Sequence, residues 1–565
     1  MRHGIATVVA AVFKLDASEQ GGWLEVFSFL SSAVSEQGLP EARELAYYLL
    51  METSETICGY YLKNQVGTLV AMFDAGMKDG VHEVQVSAVK ALGQFMSFLV
   101  NEKELEDLAP LLPLVIAVSR NCREKGDEET LSAILDVFYD LAYSQSKSVA
   151  VHLVSIIALS VECLTDGNLE MGVRDSAALV IATMAEAKPK RFAKEEAMVN
   201  GIVETLFQLI ESTNDSAAGA LFDSNPSWRD DDDDDYHDEI TQTSMAQGTL
   251  DMLACELPKK AIFEPVMSRS LARINSPNPN SRKAGIASIG VIAEGCNEPI
   301  REHLNEILPH VLKAGSDESS HVRECACFAL GQLSEHCQPE ILTYADQILP
   351  CVFVLLDDPI PTVQTTSCYV LEMFCERLEP SGVRPLLGPL VQKLTTLLQQ
   401  SQKRSVQEMA VAALAATAVA AEEEFSPYVE GAATLMGRFM TLNDEKMFSL
   451  RGRALECMGH MAIAVGKDTF RPFFSATMQC ACEGLTLDST DLHEFAYAVF
   501  ANLAKVMGEE FAPVLNELVP HLVKVVDQQE AMLDKTAAEN VSLFDLYLIN
   551  LSVNCNLWLF RKHTI

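Results

Sequence analysis

The chain has 565 residues, 79 acidic against 42 basic side chains, a formal charge of −37, and 48% apolar residues. That apolar content excludes a disordered chain, and 29 Gly with 22 Pro are too few for a fibrous one. The acidity excludes a sequence-independent nucleic-acid binder, which needs Lys and Arg to displace counterions from phosphates, and favours a basic partner.

Met1-Arg2-His3-Gly4 runs straight into an amphipathic helical pattern, so no signal peptide is expected. From there an apolar-then-polar pair recurs near the start of a helix. It runs through Arg2, Ala42-Arg43, Val84-Gln85, about Thr130, and Val173-Arg174. Beyond an interruption it returns at Arg282, Val322-Arg323, Val363-Gln364, Val406-Gln407, Leu450-Arg451 and Leu492-His493, the last four steps being 41, 43, 44 and 42 residues. A second pattern carries the same period. Phe263-Glu264-Pro265, Phe425-Ser426-Pro427, Phe470-Arg471-Pro472 and Phe511-Ala512-Pro513 are each expected to open a helix with Pro in the first turn, where its missing N–H costs nothing.

Each unit reads as two helices joined by a turn such as Gly315-Ser316-Asp317. Neither helix can bury its apolar stripe alone, so the units must stack. The fold class is therefore all-α, a HEAT/armadillo-type α-solenoid: a superhelical array of about thirteen helical hairpins. Gly93, Gly290 and Gly331 occupy aligned places on second helices, where close helix approach explains them. Asp79, Asp317 and Asp358 stand six residues before Gln85, Arg323 and Gln364, a spacing that predicts an Asp–Arg ladder between neighbouring units.

The interruption follows Val173-Arg174. HEAT repeats are expected over residues 1–212, beginning in mid-repeat, and an acidic loop over 213–239 is inserted within a repeat. HEAT repeats resume over 240–540, and a divergent apolar tail covers 541–565. The loop holds Trp228, then Asp230, Asp231, Asp232, Asp233, Asp234 and Asp235, then Asp238 and Glu239. A charge run is ordinarily a solvated linker. Here it lies between the two helices of one repeat, with Trp228 as an anchor at its base, and adjacent carboxylates that repel one another gain most from a cationic partner. Most of the acidity lies elsewhere. Glu44, Asp175, Glu324, Glu408 and Glu494 share one place, two residues after the apolar member of the pair. They form either an acidic face for basic segments or a solvated face neutralised by neighbouring Arg and Lys.

The 15 cysteines are scattered among small and apolar neighbours, as in Cys325-Ala326-Cys327 and Cys480-Ala481-Cys482, which reads as reduced, buried thiols in a cytosolic or nuclear protein. No metal or cofactor set is apparent. No H-E-x-x-H, G-x-S-x-G or phosphate-binding glycine loop occurs, so neither catalytic residues nor an enzyme is expected. The apolar run Val541–Phe560 is interrupted by Asn550, Asn554 and Asn556, which argues against membrane insertion.

The tandem register, the Asp230–Asp235 run inside one repeat, and the segment Glu318–Leu333 with its Val322-Arg323-Glu324-Cys325-Ala326-Cys327-Phe328 core resemble the importin-β (karyopherin-β) nuclear transport receptors, of the importin-4 type. The resemblance spans roughly Arg2 to Glu539. It implies a nuclear import receptor that binds basic nuclear localisation signals, with histones or ribosomal proteins as cargo. It also implies phenylalanine-glycine nucleoporins as partners, release by Ran-GTP, and residence in cytoplasm, nucleus and nuclear pore. The role of discriminating cargo from Ran falls on Asp230–Asp235. Relative to the family the array looks truncated at both ends, and the missing upstream repeats supply much of the Ran contact. The alternatives are a HEAT scaffold subunit of a multiprotein complex, such as a phosphatase, or a chaperone for histones or ribosomal proteins.

Overall fold

The computed structural model describes residues 2–17, 25–35, 39–60, 62–98, 106–143, 147–213, 241–487, 489–515 and 518. These residues are helical, with no strand among them. They divide into two compact units, one ending at His303 and the other starting at Leu304.

In the first unit Arg2–Ala17 packs on Pro40–Glu52, and the pairs that follow include Leu62–Met77 with His82–Ser97, Leu112–Lys125 with Glu128–Ala142, and Lys147–Thr165 with Met171–Ala187. After residue 240 the array resumes with Gln242–Glu256, Lys259–Ile274 and Pro279–Val291. The second unit pairs Leu304–Ala314 with Ser320–His336, Ala345–Leu355 with Pro361–Cys375, and Leu387–Gln400 with Arg404–Ala421. Second helices stack on second helices, as His82–Ser97 does on Pro40–Glu52, and Pro361–Cys375 on both Ser320–His336 and Arg404–Ala421. Both units are α-solenoids.

Sequence sets the helix ends. Asp127 accepts from the Thr130 amide at 3.2 Å, Ser489 accepts from Leu492 at 3.3 Å, and Thr241 with Ser244 forms a capping box. Gly126, at φ 71°, closes Leu112–Lys125 in the left-handed conformation that an L side chain resists. The prolines divide differently from the sequence expectation. Pro40, Pro279 and Pro361 open second helices, and Pro113 stands in the first turn of the first helix Leu112–Lys125. Pro265, Pro309 and Pro350 lie inside first helices, and Pro472 lies inside Phe448–Gly484, six residues beyond the non-helical Gly466 (φ 76°). What recurs with the proline is its phenylalanine. Phe263, Phe425, Phe470 and Phe511 are all buried, each worth about 2–3 kcal/mol of apolar transfer.

The ladder forms. The Arg43 guanidinium grips Asp79 with both arms, Nε to Oδ2 at 2.6 Å and Nη2 to Oδ1 at 3.0 Å, and Arg323 grips Asp358 at the same two distances. Each aspartate also accepts from a backbone amide of its own turn, Val81 or Ile360. The polar member of the repeating pair does a second task, reaching back six residues to a carbonyl of the turn. Gln85 donates to Asp79 O (2.7 Å), Arg282 to Ser276 O (3.0 Å), Arg323 to Asp317 O (2.9 Å) and Gln407 to Ser401 O (2.8 Å). The fully buried Arg451 reaches Leu442 O at 2.9 Å, and Arg174 reaches Leu164 O at 3.0 Å. These arginines therefore lock hairpins to their own turns, and turn carbonyls that would be orphaned are satisfied.

Candidate interaction surface

Trp228, Asp230–Asp235, Asp238 and Glu239 lie outside the described residues. What is described is the frame from which that segment leaves and to which it returns, and it is tightly built. On the outgoing side, Thr213 Oγ1 meets Thr243 Oγ1 at 2.6 Å, and the Thr213 carbonyl accepts from Lys283 Nζ at 2.8 Å, with Lys283 only 1% exposed. On the returning side, Gln242 Nε2 donates to Ser212 Oγ (2.6 Å) and Leu209 O (3.1 Å), while its Oε1 accepts from Arg174 (2.7 Å). Beneath them Arg273 donates to Glu204 at 2.6 Å and Glu211 at 3.1 Å, and lies over the Phe207 ring at 4.9 Å. Arg269 adds a second bond to Glu204 at 2.9 Å. Burial acts to raise the Glu204 carboxyl, but the two guanidiniums outweigh it and hold the group below its ordinary value. The ends of the acidic segment are thus pinned together on Glu196–Glu211, Gln242–Glu256 and Pro279–Val291.

The five periodic acids do not share one environment. Glu44 and Asp175 are half-buried, and burial raises the Asp175 carboxyl. Glu324 (4% exposed) and Glu408 (0%) are inside the stack, Glu324 accepting from Thr362 at 3.5 Å and Glu408 lying 3.6 Å from Arg404. Glu494 is exposed. This corrects the picture of a single acidic row at that register. At Glu324 and Glu408 the carboxylate is absorbed into the stack, whereas Glu44, Asp175 and Glu494 keep part or all of their exposure.

A different register is the exposed one. Twelve residues after the polar member of the pair stand Glu55, Glu186 and Glu294 in the first unit, and Glu335 and Glu376 in the second; all five are exposed. The same numbering would have revealed them, since the 41-residue step relates Glu294, Glu335 and Glu376. Further acids lie beside them. Asp251 is pushed up to about 6 by burial and by the charge of Glu294. Glu372 is pushed up to about 7 by burial, which the Arg453 charge opposes and Glu456, Glu376 and Glu335 reinforce. Arg453 reaches Glu372 and Glu456 at 3.9 Å each. Tyr369 donates to Glu335 at 3.3 Å and accepts from Gln332 at 2.7 Å. The arrangement suits a chain rich in Lys and Arg: carboxylates at repeat spacing, with an aromatic hydroxyl between them.

Four family models match the chain. They are described as IPO5-like, TPR repeats (residues 1–159), Importin repeat (166–264), HEAT-like repeat (279–333) and Importin subunit beta-1-like, TPR repeats (327–491). Taken together they place importin-type repeats along most of residues 1–491, so the chain is similar to the importin-β family. Among importin relatives it is 29% identical over 538 residues to probable importin subunit beta-4 of Schizosaccharomyces pombe, across 94% of this chain and 48% of that protein. It is 28% identical to human importin-4 across 74% of this chain and 39% of that protein. The chain spans about half the length of the curated importins it matches. In fold it is similar to the crystal structure of Kap121p, with a TM-score of 0.77 at 22% identity, covering 89% of this chain and 48% of that one.

Proposed function

We propose that this importin-like chain acts in nuclear import, gathering basic cargo segments such as nuclear localisation signals, histones or ribosomal proteins on its exposed repeat-spaced carboxylates. The observation that carries the reading is the recurrence of exposed glutamates at one register of an importin-type solenoid. Solved complexes of Kap121p with Pho4p and with the nucleoporin Nup53p are consistent with cargo and pore partners. Phenylalanine-glycine nucleoporins and Ran-GTP are the further partners in this reading. It places the chain in the cytoplasm and nucleus and at the nuclear pore. The Asp230–Asp235 segment, pinned at its ends, serves as a tethered anionic competitor for basic cargo.

The test is a pull-down of the purified chain with histone-tail peptides and with phenylalanine-glycine peptides, followed by GTP-locked Ran. Both peptide classes are expected to bind and Ran to displace the cargo; retention of neither peptide overturns the reading. Replacing Asp230–Asp235 by Asn changes cargo affinity or release rate if the segment competes, and an unchanged pair of values returns it to a passive linker.

A further inference from the structure

Helices Leu112–Lys125 and Glu128–Ala142 are joined through Gly126 and Asp127, and the start of His82–Ser97 lies against that turn. Three unlike donors meet there. His82 Nε2 is 3.6 Å from Asp127 Oδ2, and with Cys122 Sγ the three atoms all lie within 4.8 Å of one another. His82 Nε2 is sealed from solvent and makes no hydrogen bond. Cys122 is fully buried. Asp127 uses Oδ1 to cap its helix, which leaves Oδ2 for His82. Beside the cluster opens a cleft of about 620 Å³ lined by Asp127, Glu128, Glu129 and Glu170, with Asp127 common to both.

We propose that His82, Cys122 and Asp127 bind a divalent transition-metal ion of the zinc class, with a solvent molecule from the cleft as fourth ligand. The donor set selects the ion: nitrogen, thiolate sulfur and carboxylate oxygen together suit zinc, whereas calcium and magnesium take oxygen alone. Tetrahedral zinc, with bonds of about 2.0 Å to N and O and 2.3 Å to S, places its donors about 3.3–3.6 Å apart. The His82–Asp127 separation of 3.6 Å has to shorten by about 0.3 Å, and the sulfur has to move in by a side-chain rotation of Cys122. On binding, the thiol proton leaves to solvent as the metal–sulfur bond forms, so the ion replaces one proton. Coordination through Nε2 places the ring proton on Nδ1, which faces the Asn121 amide at 3.2 Å. Asn121 then turns its carboxamide over and accepts that proton, giving up its 3.0 Å bond to Gln85 Oε1. An ordinary His–Asp pair accounts for the approach of those two side chains, but it makes no use of the thiol beside them. The site is independent of the cargo reading and survives its failure.

The test is a cobalt titration of the full chain after removal of metal by chelation. One equivalent is expected to bind with a thiolate-to-cobalt charge-transfer band in the near ultraviolet, and zinc is expected to displace it. Cys122→Ser loses the band. His82→Gln leaves every thiol in place and should weaken apparent affinity by roughly tenfold or more. Circular dichroism of each variant separates loss of the site from loss of the fold. No band in the parent chain, or a band unchanged in both folded variants, overturns the assignment.

Discussion

Two opposed forces meet on Glu372. Burial and three neighbouring glutamates favour the neutral acid, while Arg453 at 3.9 Å favours the anion, and the net result is a carboxyl raised to about 7. A carboxyl whose folded value exceeds its ordinary value of 4.5 contributes stability that is fully present below pH 4.5 and is lost as pH rises through about 7. Glu372→Gln should therefore be nearly neutral at pH 4.5 and stabilise by about 1–2 kcal/mol at pH 8, discounted for the partial exposure of the group. Urea unfolding at the two pH values reads the difference, and equal effects at both would show that the carboxyl ionises normally. The Arg323–Asp358 pair is the opposite case, two well-matched charges at 15% and 7% exposure. Asp358→Ala removes one charge and also the acceptor of the Ile360 amide, so a loss of about 3 kcal/mol is expected. Arg323→Lys should not rescue the full pair, because an ammonium cannot reproduce the two-armed contact.

At the scale of helices, close approach is set by glycine and turns are set by the repeating polar residue. A methyl group on Gly331 would come within 2.2 Å of the Tyr369 ring on the next second helix, and one on Gly93 within 2.6 Å of Val137. Gly331→Ala is expected to cost about 1–3 kcal/mol, and the added Tyr369→Ala change should make it nearly free of further cost. A thermal-melt cycle of the four proteins measures the coupling; additive losses would mean that the helices part without strain. The repeat register and the Arg323–Asp358 rung were legible in the sequence because a 41-residue period aligns the residues that lock each hairpin. The prolines were less legible. Pro265 shares its Phe-x-Pro spacing with Pro513, yet sits well inside Lys259–Ile274, because local spacing does not reveal how far a helix extends upstream. The acidic face was misplaced along the helix: Glu324 and Glu335 are eleven residues, about three turns, apart and so lie on nearly the same side of Ser320–His336. Glu324 is covered by the stack near the start of the helix, whereas Glu335 stands in its last turn and is exposed. The His82, Cys122 and Asp127 donors carried no spacing cue, since a 40-residue gap becomes proximity only when hairpins stack.

For the whole molecule, a charge of −37 matters less than where it is exposed. Carboxylates paired within the stack, such as Asp79, Glu204 and Asp358, have their fields cancelled at short range by arginine. In the function proposed above, the exposed glutamates are the charges that attract a basic chain from a distance. Attraction of that kind is screened over about 8–10 Å at physiological salt, so binding of a Lys- and Arg-rich peptide should weaken roughly tenfold between low and moderately high ionic strength. The same logic separates two pairs of substitutions in one unit. Glu335→Lys with Glu376→Lys places repulsive charge on the exposed register and should weaken the peptide by tenfold or more, with only a small change in melting temperature as the Tyr369 bond to Glu335 is lost. Glu324→Gln with Glu408→Gln changes buried carboxylates, and should shift the melting temperature while leaving peptide affinity nearly intact. Fluorescence anisotropy with a labelled basic peptide, paired with thermal melts, reads both. If the buried pair governed affinity and the exposed pair did not, the peptide would have to enter the stack itself, and attraction by the solvent-facing register would be wrong.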